Sequence, residues 1–265
     1  MKHRNLILFT VATTLFLTSC GNDIEEIKNP STGKLLKRYE YYTDNSGQKV
    51  KDGEYIEWDA SGNKIAELHY QDDSLHGTCV YYNEDGSTGS YNYNLGELDG
   101  EQSLKAKNGS WVFQENYNNG KLDGTQTYYH ISGKKQCFGS FSSGKQTGKW
   151  NYFDDKGKPA FTLDFNNGVC KQLTGTWVSE DDGVLTFVFG KDGSFVLKAP
   201  LFRYSKNAVV QGKGIYSLTR KLVLTDTDHG NEWEYELFNF ENDRMILINP
   251  NTEVGEAILD LRSVK

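Results

Sequence analysis

Short runs of alternating apolar and polar residues fill the middle of the chain. Phe161, Leu163 and Phe165 alternate with polar neighbours, and Ala66, Leu68 and Tyr70 keep the same phase. Phe113, Glu115 and Tyr117 follow it, as do Cys137, Gly139 and Phe141. A period of two places one set of side chains on a buried face and the other in water, which is a β-strand. Partner runs recur at residues 54–59, 78–83, 101–106, 125–130 and 149–154, and four of them directly precede these. Several of the partners carry an adjacent aromatic pair: Tyr81-Tyr82, Tyr128-Tyr129 or Tyr152-Phe153. Adjacent strand residues point to opposite faces, so each pair should put one ring in the core and one outside.

The turns between runs are periodic. Gly53, Gly77, Gly100, Gly124 and Gly148 lie 24, 23, 24 and 24 residues apart. A second glycine follows each after nine residues, and a third turn residue stands near the twentieth position: Asp73, Gly96, Gly120, Gly144 and Gly168. Each unit is therefore a β-hairpin. One hairpin cannot bury its own face, so the units must stack into a long meander. Residues 33–42 supply part of a preceding unit. The third unit departs most, with Lys105 where others carry an aromatic and Glu115 on the inner phase.

The period stops after Gly168. Residues 171–265 offer eight candidate strands, at 175–179, 184–189, 194–199, 208–218, 221–226, 232–240, 244–249 and 256–263, with a hairpin signal at Gly190-Lys191-Asp192-Gly193. Eight antiparallel strands with short turns fit an up-and-down barrel, whose closure removes its edges.

Composition narrows the function. Twenty-seven glycines, four prolines and 13% aromatics suit short strands and tight turns. A net charge of −7 without a basic cluster excludes nucleic acid as a main partner. Cys79, Cys137 and Cys170 lie downstream of Cys20, and units two apart are too distant for a Cys79–Cys137 disulfide. His69, His76, His130 and His229 show no metal-ligand spacing, and His76 occupies the repeat position of Asp52, Asp99 and Asp123. No nucleophile elbow, phosphate loop or dinucleotide fingerprint is present, so we expect no catalysis, metal or cofactor.

The N-terminus is a targeting segment. Lys2, His3 and Arg4 precede a short apolar stretch from Leu6 to Leu17, which ends Leu17-Thr18-Ser19-Cys20. This resembles the bacterial lipoprotein signal. The resemblance implies lipidation of Cys20, as with palmitate, and a mature chain anchored in the cell envelope. Gly21 after the cysteine implies sorting to the outer membrane, on its periplasmic or surface side.

The repeat units resemble the bacterial variant of the MORN repeat, which implies scaffolding or binding. Gly175-Thr176-Trp177 at the start of the last region resembles lipocalin-like domains, in which the tryptophan closes one barrel end. The expected architecture is all-β. Residues 1–19 are a signal peptide, 20–32 a tether, 33–170 an elongated antiparallel MORN-like hairpin sheet, and 171–265 a small eight-stranded lipocalin-like barrel. The expected partners are the membrane, through the lipid, and an envelope protein or glycan. Tyr82, Tyr129, Trp150 and Trp177 are the candidate binding rings, since an aromatic face stacks on a sugar. The alternative is carriage of a small apolar ligand in the barrel.

Overall fold

The computed structural model of the chain describes residues 22–179, 186–200, 209–218, 221–228, 230, 232–241, 244–249 and 257–264. Cys20 and the signal segment lie outside the described residues. The protein is all-β, with a sixteen-stranded antiparallel sheet followed by a smaller one of eight strands.

Two kinds of turn build the long sheet. At Asn83–Gly86 the Gly86 amide donates to the Asn83 carbonyl at 2.9 Å, and the Asn83 amide to Ser87 at 2.9 Å. The same pair of bonds recurs at Asp44, Asp59, Ala106, His130 and Asp154, each time with glycine at positive φ three residues on. That fourth position needs the left-handed region, which glycine enters without steric cost. At the opposite margin Leu95-Gly96, Asn119-Gly120, Ser143-Gly144 and Asn167-Gly168 each have two consecutive positive φ values. These are two-residue turns whose twist matches that of the flanking strands. Their glycine amides reach back to the preceding unit: Gly96 to Leu75, Gly120 to Leu98 and Gly144 to Leu122, each at 2.8 Å. The turns are thus stitched together along one side of the sheet.

The hairpin strands match the expected pairs: Gly77–Tyr82 with Thr88–Asn94, Gly100–Lys105 with Trp111–Asn118, Gly124–Tyr129 with Lys135–Ser142, and Lys145–Phe153 with Pro159–Asn166. Leu35–Thr43 supplies the second strand of the partial first unit. One expectation fails. The expected tether of 20–32 is not free in its described part, 22–32, because Asp23–Lys28 pairs with Leu35–Thr43 and forms the edge of the sheet. The pairing satisfies backbone groups on one side, and the acidic side chains deter a further strand from joining the other. Cys79, Cys137 and Cys170 are buried and none is in a disulfide, as expected.

In the smaller sheet Gly175–Ser179, Thr186–Phe189, Ser194–Pro200, Val209–Leu218, Lys221–Asp226, Glu232–Glu241, Arg244–Asn249 and Ala257–Val264 pair in sequence order. Thr176 also pairs with Val264 and Val178 with Arg262, so the ring of pairs closes. Phe187, Phe189, Phe195, Leu224, Met245 and Leu247 are buried. Phe187 packs on Phe189 at 5.9 Å and edge-on to Tyr235 at 6.1 Å, so rings of this chain pack against one another there.

One core joins the two sheets. It runs from Tyr128, Cys137 and Trp150 through Leu163, Leu173 and Trp177 into Phe240 and Leu247. Phe161 and Phe240 meet across the junction at 6.4 Å, and the Gln146 amide donates to the Leu218 carbonyl. A second, smaller core of Tyr55, Ala66, Leu68 and Cys79 holds the N-terminal units.

Candidate functional site

The two faces of the long sheet have different chemistry. The inner face carries positions two and four after each repeat glycine. Position two holds Tyr55, Cys79, Gln102, Gln126 and Trp150, all buried. Four of these reach the carbonyl of the residue ten earlier: Cys79 Sγ to His69 at 4.0 Å, Gln102 Nε2 to Asn92 at 3.0 Å, Gln126 Nε2 to Asn116 at 3.0 Å, and Trp150 Nε1 to Ser140 at 3.2 Å. Both glutamines also accept from the amide of that same asparagine, so each carboxamide replaces a rung missing from the ladder.

Two candidate binding rings are therefore corrected. Trp150 and Trp177 are 0% and 1% exposed. Trp150 stacks on Tyr128 and meets Phe141 and Phe165 edge-on. Trp177 donates to the Leu173 carbonyl at 2.7 Å and packs 5.5 Å from Phe240. Neither indole can reach a ligand, because both are core groups at or near the junction of the sheets.

Tyr82 and Tyr129 do lie on the outer face, as the alternation requires. The Tyr82 hydroxyl donates to Glu67 at 2.9 Å and the Tyr129 hydroxyl to Gln114 at 2.7 Å. The Glu67 bond raises the Tyr82 phenol above its ordinary range, followed by burial, and burial raises that of Tyr129. Both are neutral, tethered rings. They occupy position five after the repeat glycine, shared by Trp58, Lys105 and Phe153. In the third unit Trp111 pairs with Lys105 across the strands, and the Lys105 ammonium sits 4.2 Å from that ring. A ring-bearing row thus runs across the outer face, one step per two strands or about 10 Å.

The row ends in an open recess of about 340 Å³, lined by Phe138, Asn151, Phe153, Ala160 and Thr162 among others. Its floor is the stacked pair Phe138 and Phe153, 5.8 Å apart and 21° from parallel. Thr162 donates to Asn151 at 3.1 Å beside it, and the Lys135 ammonium stands 5.2 Å from the Phe138 ring. The sequence reading missed Phe138 and Phe153 as a platform. Phe153 shares its repeat position with Tyr82 and Tyr129, which was the available signal; Phe138, on the second strand of its hairpin, carried none.

A second groove, lined by Asp52, His69, Tyr70, Gln71, His76 and Thr78 among others, lies where the first two complete units meet. The His76 amide donates to the His69 carbonyl at 2.9 Å, the bond that Asp99 and Asp123 make to Asn92 and Asn116. His76 thus has the turn role its repeat position predicts. Among the described residues no group of three or more His, Cys, Asp or Glu side chains is arranged to hold a metal ion. Among them no helix is long and apolar enough to cross a membrane. No protein-family model matches the chain, and no curated protein matches it.

Proposed function

We propose that the chain is a lipid-anchored, non-catalytic binding protein of the cell envelope, held at the outer membrane through Cys20. Its outer sheet face is a platform for a protein or glycan partner. The observation that carries this reading is the ring row of Trp58, Tyr82, Trp111, Tyr129 and Phe153, ending in the Phe138–Phe153 recess. Tyr82 and Tyr129 are tethered by hydrogen bonds and present apolar area that is already ordered, so binding there loses little side-chain entropy. The hairpin period and paired turns support a MORN-like repeat. The eight-stranded ring with Trp177 at its first strand supports a lipocalin-like barrel.

Two experiments test the reading. Cys20→Ala should abolish incorporation of labelled palmitate and free the protein from membranes; unchanged labelling rejects the anchor. Separately, purified protein is immobilised and exposed to solubilised envelope. The wild type should retain a component that the Tyr82→Ala/Tyr129→Ala/Phe153→Ala variant loses while keeping its circular dichroism. Equal retention by both removes the platform.

A further inference from the structure

The inner face carries a second feature, at the middle of the sheet, where the two cores fail to meet. Glu115 pairs in register with Gln102 on one side and, by continuation of the Phe113–Tyr128 and Gln114–Thr127 pairs, lies beside Gln126 on the other. Both glutamine carboxamides are committed to backbone. The Glu115 carboxylate is held by two phenols: Tyr117 donates at 3.2 Å and Tyr128 at 2.8 Å.

Elsewhere this chain completes the same arrangement with a cation. Glu25 accepts the Tyr39 hydroxyl and binds the Lys49 ammonium at 2.7 Å, with that ammonium 4.4 Å from the Tyr41 ring. Glu57 accepts the Tyr55 hydroxyl at 3.1 Å and binds Lys37 at 3.2 Å, with the ammonium 5.9 Å from the Tyr55 ring. Glu67 accepts from Tyr82 and binds Lys64 at 2.8 Å. Asp72 accepts from Tyr42 with no lysine in ion-pair distance among the described residues, but it sits at an exposed turn where water solvates it. Glu115 differs from all four. It is half-buried, and among the described residues no lysine or arginine lies within ion-pair distance.

A half-buried carboxylate is poorly solvated, and tyrosine rings favour a cation over their faces. The neighbouring phenols register the charge. Tyr117 is pushed up to about 12 by burial and then by Glu115, and Tyr91 rises for the same two reasons. We infer that Glu115, Tyr117 and Tyr128 form an alkylammonium-binding site, and that its occupant is a lysine side chain of a partner polypeptide. Lysine is the group that fills the three matching sites within the chain. Its long apolar stem lets the ammonium reach a carboxylate lying among rings. The site is on the face opposite the ring row, so it stands apart from the platform proposed above.

The test uses the purified full chain in detergent micelles, with ¹³C-labelled tyrosine rings followed by NMR. The probe is the peptide acetyl-Gly-Lys-Gly-amide. Saturable shifts are expected at Tyr117 and Tyr128, identified by their loss in Tyr117→Phe and Tyr128→Phe. Glu115→Gln keeps an acceptor for the phenols but removes the charge, and should weaken binding about tenfold. A peptide with norleucine in place of lysine should leave the rings unshifted, and it reads the charge dependence even where Glu115→Gln fails to fold. Equal response to the norleucine peptide, or undiminished affinity in a folded Glu115→Gln protein, overturns the site. Binding of n-butylamine as tight as that of the lysine peptide overturns the polypeptide as occupant.

Discussion

At the scale of residues, one repeat position is filled by chemically unlike side chains doing the same job. Cys79, Gln102, Gln126 and Trp150 all sit two residues past the repeat glycine and all offer a donor to the carbonyl ten residues back. The glutamines do most, because they answer both the carbonyl and the amide. Gln126→Leu keeps the volume and orphans the Asn116 amide, while the Asn116 carbonyl keeps only its bond from the Asp123 amide, so it should cost roughly 1–2 kcal/mol in urea unfolding. Burial of tyrosine sets the alkaline limit. Tyr128 is held well above the ordinary phenol range, by burial first and the Glu115 charge second, and burial likewise raises Tyr81, Tyr93 and Tyr152. These phenols are raised in the fold relative to about 10 unfolded, so their contribution is complete below pH 10 and drains away as pH climbs past it. Stability should hold to about pH 10 and then fall, with the phenolate absorbance of these buried tyrosines appearing only as the protein unfolds. The inner Trp150 was legible in part. It shares a position with Cys79, a residue type usually buried, yet an aromatic residue in the sequence does not state its face until the register is known.

At the scale of elements, the turns carry the architecture, and their glycines were the most legible part of the sequence. What the spacing did not show is that its glycines do three different things. Gly86 closes a four-residue loop and Gly96 a two-residue turn, while Gly53 and Gly148 sit inside the strands Lys49–Trp58 and Lys145–Phe153. All three demand positive φ, so composition alone cannot separate them. The edge strand Asp23–Lys28 was hidden for another reason. Its acidic run resembles a solvated linker, and only pairing with Leu35–Thr43 reveals the strand. The two-residue turns offer a clean test. Leu95 adopts φ 47° with its side chain largely in water, where Asn119 and Asn167 stand in the sister turns. Asparagine tolerates that region better than leucine, which gains nothing here by burial. Leu95→Asn should stabilise the protein by about 0.5–1 kcal/mol, read as a higher urea midpoint at unchanged slope.

At the scale of the whole molecule, the closed ring of strands caps the repeat sheet. A stack of hairpins leaves an uncovered end, and repeat proteins need a terminal unit that hides it. Here the last hairpin carries Trp150, Leu163 and Phe165, and the adjoining core continues through Leu173 and Trp177 to Phe240. The sequence suggested two separate domains because the glycine period ends at Gly168, and a period says nothing about what packs across its end. If the shared core governs stability, the two sheets should unfold together. Phe240 is the sharpest probe, since it contacts Phe161 on one side and Trp177 on the other. Phe240→Ala should cost about 3–5 kcal/mol, the usual range for emptying a buried phenylalanine site. That loss should lower a single transition seen alike by tryptophan fluorescence and by far-ultraviolet circular dichroism. Two separated transitions, with the repeat sheet melting where the wild type does, would show instead that the sheet closes its own end and that the barrel is only appended to it.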